Sequence, residues 1–135
     1  MQHDLLKLRE FGARYAVAWC SHDPMQVASF FSAAGFLRVN AGSPAVGRSA
    51  ITEVARSFMT AFPDMQVLMD DLRLNGDRVE FHWTLIGTNN GPGGAGKRVR
   101  ISGFESWKLG NDGLIAASEG HFDAAEYQRQ LEHGA

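Results

Sequence analysis

Between the turn signal Asn111-Asp112-Gly113 and a polar C-terminal tail runs Leu-Ile-Ala-Ala-Ser-Glu-Gly-His-Phe-Asp, residues 114–123. Three of its side chains exchange protons readily, and they stand two apart: Glu119, His121 and Asp123. On a strand, successive side chains point to opposite faces. These three therefore share a face with Ile115 and Ala117, while Leu114, Ala116, Ser118, Gly120 and Phe122 share the other. Burying unpaired charge is costly, so a face of this kind is expected to line a pocket and do acid/base work. Were all three on the outside in water, that expectation would fall.

Each residue also has a plainer reading. Asp123 suits a general acid or base if an apolar pocket raises its pKa, and it equally suits the N-cap of the helix that follows. An unperturbed imidazole can give or take a proton at neutral pH, which suits His121 to acid/base work, yet a hydrogen-bonded core histidine has the same sequence signature. Glu119 beside it would orient and tune the imidazole. Glu105, on the preceding strand, has two readings. Paired with Glu119 in an apolar cleft, one of the two carboxyls would gain a raised pKa. Alternatively a bulge near Gly103 turns Glu105 to solvent, and glycine within a strand favours this second reading.

The elements that must position these groups follow from periodicity. Leu8, Phe11, Tyr15, Trp19 and His22 recur at helical spacing, which predicts a helix over residues 4–21, with Tyr15 and Trp19 large enough to roof a cavity. Asp23-Pro24-Met25-Gln26 is a helix start. A short helix burying Val27, Phe30 and Phe31 is expected there, closed by Gly35 and followed by a strand at 36–39. Ile51, Val54, Ala55, Phe58 and Phe62 predict a third helix over 49–61, stopped by Pro63. Period two then takes over. Strands are expected at 65–74, 78–88, 97–109 and 114–123, the first two joined by an Asn75-Gly76-Asp77 turn, with a closing helix at 124–132. Helices on one side of an antiparallel meander make an α+β layer fold. Trp83, Ile101 and Trp107 fall on the inward side, as pocket wall or core. The opposite face is expected to carry His82, Thr84, Arg100, Phe104 and Phe122, a partly apolar surface suited to sheet-to-sheet homodimerisation.

Composition narrows the class. The chain has 135 residues, 44 % hydrophobic and 21 % charged, enough for one domain, residues 1–135, with its own core. A net charge of −2 gives no general attraction to nucleic acid or anionic membrane. One cysteine, Cys20, permits no internal disulfide, so a cytoplasmic, reducing setting is expected. Met1-Gln2-His3-Asp4 lacks the basic and apolar regions of a signal peptide, and no apolar run reaches the ~18 residues of a membrane helix. His121 and Asp123 lack a third ligand at metal-binding spacing, and no Ser-His-Asp or Cys-His set is evident.

Gly91-Pro92-Gly93-Gly94-Ala95-Gly96-Lys97 matches G-x-G-x-x-G and the first part of a P-loop, with Arg98 where Ser or Thr belongs. Both motifs require a helix after the loop, whose N-terminus meets the phosphate. The alternating Arg98-Val99-Arg100-Ile101-Ser102 reads as strand, so nucleotide binding is rejected in favour of a flexible hairpin connection that could also cover a pocket mouth.

The end of the first helix (Trp19 to Asp23), Gly47-Arg48 before an isoleucine-containing helix, Phe62-Pro63-Asp64, Gly76-Asp77-Arg78-Val79, Gly87-Thr88-Asn89 and the closing Asp123 with Gln130-Leu131 occur in a telling order. Together they resemble the SnoaL-like polyketide cyclases of the nuclear transport factor 2-like, cystatin-like α+β superfamily. The resemblance implies a cone: a curved, mostly antiparallel sheet wrapped around a long N-terminal helix, with two further helices and a short C-terminal one. It also implies an apolar pocket in the cone, a homodimer, and general acid/base chemistry without a cofactor, with Asp123 in the acid/base position. Glu119 stands where the family often has an aromatic residue and Asn89 where it often has histidine, and both alter the polarity expected of the pocket. The chain is thus expected to bind a small apolar carbonyl compound and to act as an isomerase, dehydratase or aldol-type cyclase. Asp123, His121 and Glu119 would be catalytic, and Tyr15, Trp19, Phe58, Phe62, Trp83, Ile101, Glu105 and Trp107 would form the pocket. The alternative is a ligand- or protein-binding module of the same fold without turnover.

Overall fold

The computed structural model describes residues 4–135. Met1, Gln2 and His3, which enter the signal-peptide expectation, lie outside the described residues. Helix α1 (Leu5–Cys20) is capped by the Asp4 carboxylate, which accepts from Leu6 N–H. Its inner stripe is Leu8, Gly12, Tyr15, Ala16 and Trp19. Gly12 is where α1 comes closest to the sheet: a Cβ there would sit 2.8 Å from Met69 Sδ and 2.9 Å from Leu72 Cδ1. At 16 residues α1 leads the helices, and no described helix is long and apolar enough to cross a membrane.

Helix α2 (Pro24–Ala28) starts at the expected cap, with Asp23 accepting from Met25 N–H, but ends earlier than its apolar residues suggest. Phe31 already belongs to strand β1 (Phe31–Val39). Gly35 lies within that strand and does not stop a helix. It is buried so close to Ile115 O, 2.7 Å from where a Cβ would be, that only glycine fits. A two-residue strand β2 (Ala45–Val46) pairs back on β1. Helix α3 (Arg48–Ala61) buries Ile51, Ala55 and Met59 and ends before Pro63.

The remaining strands are β3 (Gln66–Asn75), β4 (Arg78–Thr88), β5 (Arg98–Leu109) and β6 (Ile115–Phe122), and helix α4 (Ala124–His133) closes the chain. The sheet order is β2-β1-β6-β5-β4-β3. The expected meander β3 to β6 is present. What the sequence did not reveal is that β1 joins it, parallel to β6, giving six strands in one curved, unclosed sheet. The architecture is the α+β cone. Its core runs between the inner sheet face and α1, α2 and α3, with Tyr15, Phe31, Phe62, Phe81 and Trp107 each fully buried. Arg98–Leu109 follows the glycine loop as a strand, and Gly91 N–H donates to Ala61 O, so the loop lies against the end of α3.

Two local features decide which side chains enter the cone. Gly103 causes no bulge: β4 and β5 pair without interruption from Val79↔Trp107 to Thr88↔Arg98. It is glycine because a Cβ there would run into the His121 carbonyl of β6 and stand 2.8 Å from the Trp83 ring and 2.9 Å from Phe122 Cβ. The bulge is in the next strand. Lys108 pairs with Ala117 and Leu109 with Ile115, leaving Ala116 as the extra residue. Beyond it the alternation of β6 is reversed.

Candidate active site

Past the bulge, Gly120 lies opposite Glu105 and Ser118 opposite Trp107, while Glu119 faces Ser106 and His121 faces Phe104. Directly paired residues share a face, so Ser118, Gly120 and Phe122 point into the cone and Glu119 and His121 point out. The expected pocket face of β6 is the outer face. His121 is exposed, with its ring 4.9 Å from that of Phe104, which stacks 5.3 Å from His82. Glu119 is partly exposed beside Arg38 on β1. Asp123 is exposed and accepts from Glu126 N–H at 3.0 Å, the N-cap reading of this residue. None of the three lines the cavity. Glu119 and Glu105 lie on opposite faces and do not form a carboxylate pair.

Within the cone is a cavity of about 70 Å³. Of the expected wall, Trp19, Phe58, Trp83, Ile101 and Glu105 line it. Tyr15, Phe62 and Trp107 are fully buried behind the wall as core. The sequence reading missed Leu37 and Val39 of β1, Val54 of α3, Val67, Phe81 and Leu85 of the meander, and Gly120, Phe122 and Tyr127 near the C-terminus. Tyr127 comes from α4, which lies along the edge of β5 beyond the end of β6. There Gln130 Oε1 accepts from Arg100 N–H at 2.7 Å. This places the Tyr127 ring 5.5 Å from Phe122 and 6.4 Å from Phe62.

Glu105 is the one lining residue with an ionisable carboxyl. It is buried, and three side chains donate to the same oxygen, Oε1: Ser118 Oγ at 2.7 Å, Tyr15 Oη at 2.9 Å and Trp107 Nε1 at 3.0 Å. Oε2 has no hydrogen-bond partner among the described residues and is not fully shielded, and Glu105 is a lining residue of the cavity. Burial pushes the Glu105 carboxyl above the ordinary carboxylate range, against the pull of the three donors. Burial also pushes the Tyr15 hydroxyl well up, the neighbouring Glu105 adding to it. Tyr15 therefore stays a donor at every physiological pH. Such a carboxyl can act as a general acid when protonated and as a general base when ionised, which is what proton-transfer chemistry near neutrality requires. A sequence signal was available: Val99, Ile101, Glu105 and Trp107 fall on one period-two face, where a lone carboxylate among large apolar neighbours implies burial with partners.

No curated protein matches the chain. Among solved structures, TsrD from Streptomyces laurentii superimposes with a TM-score of 0.81 at 19 % identity, over 96 % of this chain and 98 % of that one. A hypothetical protein with a ketosteroid isomerase-like fold from Catenulispora acidiphila, solved in complex with trimethylamine, gives a TM-score of 0.79 at 16 % identity, over 91 % and 92 %. SalBIII, an epoxide hydrolase/cyclase-like enzyme of pyran ring formation in salinomycin, gives 0.77 at 20 %, over 91 % and 95 %. At these identities the likeness is one of fold. The family model described as SnoaL-like polyketide cyclase matches residues 10–131, from the first turns of α1 to near the end of α4. With the cone and its cavity, this places the chain: it belongs to the SnoaL-like polyketide cyclase family.

Proposed function

We propose that this protein binds a small apolar carbonyl compound in the cone and moves a proton on it through Glu105, without a cofactor. The observation that carries the reading is the unpartnered Oε2 of a buried carboxyl on an otherwise apolar wall. In its ionised form Oε2 takes a proton from the carbon next to the carbonyl, leaving an enolate on the ligand. The resulting Oε2–H then returns the proton to the γ carbon of the dienolate when the ligand is a β,γ-unsaturated ketone, so that the double bond shifts into conjugation, an isomerisation, or to the oxygen formed when the enolate carbon closes on a second carbonyl, an aldol-type cyclisation. Both conserve the ligand's atoms and use one carboxyl twice, which suits a wall with a single carboxyl better than a dehydration does. The neighbouring folds include a cyclase-like enzyme. Acid/base work by Asp123, His121 and Glu119 finds no support in their positions.

The test is deuterium exchange into cyclohexanone and norcamphor, two small apolar ketones, in D2O at neutral pH. Exchange above buffer, lost in Glu105→Gln and kept in His121→Gln, is the expected result. Binding of both ketones with exchange no faster than buffer would leave a binding module without turnover. The outer sheet face, with His82, Phe104 and His121 stacked across three strands, is proposed as a homodimer surface. Phe122, expected there, points inward. Sedimentation showing a monomer at micromolar protein would remove that proposal. A cytoplasmic setting remains the proposal for a chain with one cysteine.

A further inference from the structure

We infer that Tyr15, Ser118 and Trp107 are positioning residues that reserve Oε1 of Glu105, so that proton exchange with a ligand is confined to Oε2. The inference rests on Glu105 being the acid/base group and adds which of its atoms works and what holds it.

A carboxylate oxygen offers about two lone-pair directions. Three donors at 2.7, 2.9 and 3.0 Å saturate Oε1, so a proton on this carboxyl goes to Oε2, the unpartnered oxygen of a cavity-lining residue. The donors come from three separate elements: Tyr15 from α1, Ser118 from β6, and Trp107 from the same strand as Glu105. Rotation of the carboxyl would break all three bonds at once. None of the three donors lines the cavity, so their contribution passes through Glu105. Tyr15 and Trp107 are further locked by their rings, 5.2 Å apart and perpendicular. Ser118 is fully buried and has no other bond from its hydroxyl, so its polar group has one evident use. Each donor also stabilises the anion against burial.

Two measurements test this. Carbon-13 NMR of the glutamate carboxyls, with the Glu105 resonance identified by its absence in Glu105→Gln, follows the titration directly and needs no ligand. The Glu105 midpoint is expected to move upward in Ser118→Ala and in Tyr15→Phe, and further in the double variant. An unmoved midpoint in folded Ser118→Ala overturns the inference, and should Tyr15→Phe not fold, Ser118→Ala alone decides. Norcamphor distinguishes the exo from the endo face of its exchangeable position. Wild-type protein is expected to exchange one face in excess over buffer, and the double variant to lose that excess as the carboxyl becomes free to turn. Retained face selection with an upward-shifted midpoint would overturn the positioning claim. Absence of norcamphor exchange in wild type would count against the acid/base reading, while the titration would still decide the inference.

Discussion

Two carboxylates one register step apart, on opposite faces of the same sheet, behave in opposite ways. Glu105 pairs across the sheet with Phe81 and points inward, while Glu80, beside Phe81, pairs with Ser106 and points outward. Both are well supplied with hydrogen bonds: Glu105 has three donors, and Glu80 has Asn75 Nδ2 at 3.1 Å and His82 Nε2 at 3.1 Å. Yet Glu80 is held below the usual carboxylate range, first by Asn75 and then by His82, whereas Glu105 is raised by burial. The number of donors does not decide the direction. Access to water does, because the half-buried Glu80 keeps part of its hydration while the buried Glu105 exchanges all of it for three fixed dipoles.

The widest separation between the two faces is expected in catalysis. Glu105→Gln should lower ketone exchange by about a hundredfold or more, the scale of a lost general acid/base, and Glu80→Gln should leave it within about twofold of wild type. Equal loss in both would mean that overall charge, not position, is being read. Next comes packing. Trp107 is fully buried and stacked on Phe81 at 5.1 Å, so Trp107→Ala should cost about 3–5 kcal/mol in urea unfolding. Phe104→Ala on the outer face should cost well under half of that. A comparable cost would show the outer face to be packed, as in a tight dimer.

A smaller effect sharpens the electrostatic contrast. The folded-state pKa of Glu105 lies above its value in the unfolded chain, so the native state binds the extra proton. Stability from this group is complete at pH below about 4.5, its ordinary value, and falls as pH rises through the raised native value. Glu105→Gln removes that slope, so the urea midpoint of the variant should gain on wild type between pH 4.5 and pH 8. A constant gap would mean that Glu105 is not raised. Glu80, with a lowered pKa, gives the reverse sign and loses its contribution as pH falls. The smallest effect concerns the cap: Asp123→Ala should cost about 1 kcal/mol and Asp123→Asn almost nothing, with exchange unchanged in both. Loss of exchange in Asp123→Asn at full stability would return that residue to the site.

Much of this fold can be read from periodicity. The stripe Leu8, Tyr15 and Trp19, the Asp23-Pro24 start, the Pro63 stop and the hairpin at Gly76 all act within a few residues of themselves, so their meaning survives without tertiary context. What failed was parity. Counting from the buried Ile115 places Glu119 and His121 inside, but one extra residue at Ala116 reverses every side chain after it. Glycine in a strand often marks a bulge, yet Gly103 answers to the His121 carbonyl and the Trp83 ring, long-range neighbours no local pattern reveals. The β1 extension was hidden for a similar reason: Gly35 suits a helix stop, and only the approach of Ile115 O explains it within a strand. The family resemblance leads to the right cone and Glu105 belongs to its expected wall, but the count along β6 gives the acid/base role to Glu119, His121 and Asp123 instead.

The parallel seam between β1 and β6 bears on how the chain acquires its shape. Asn40 and Phe122, 82 residues apart, are bonded there at 3.0 Å, and every other strand junction is between strands closer in sequence. One edge of β1 takes the two-residue β2 at once, but its other edge must wait for β6 to be synthesised, while the β3–β5 hairpins can zip alone. Assembly is expected to be late and concerted at this junction. A nascent chain halted before Ile115 should present an unzipped β1 edge to chaperones, and refolding should be limited by closure of this one long loop.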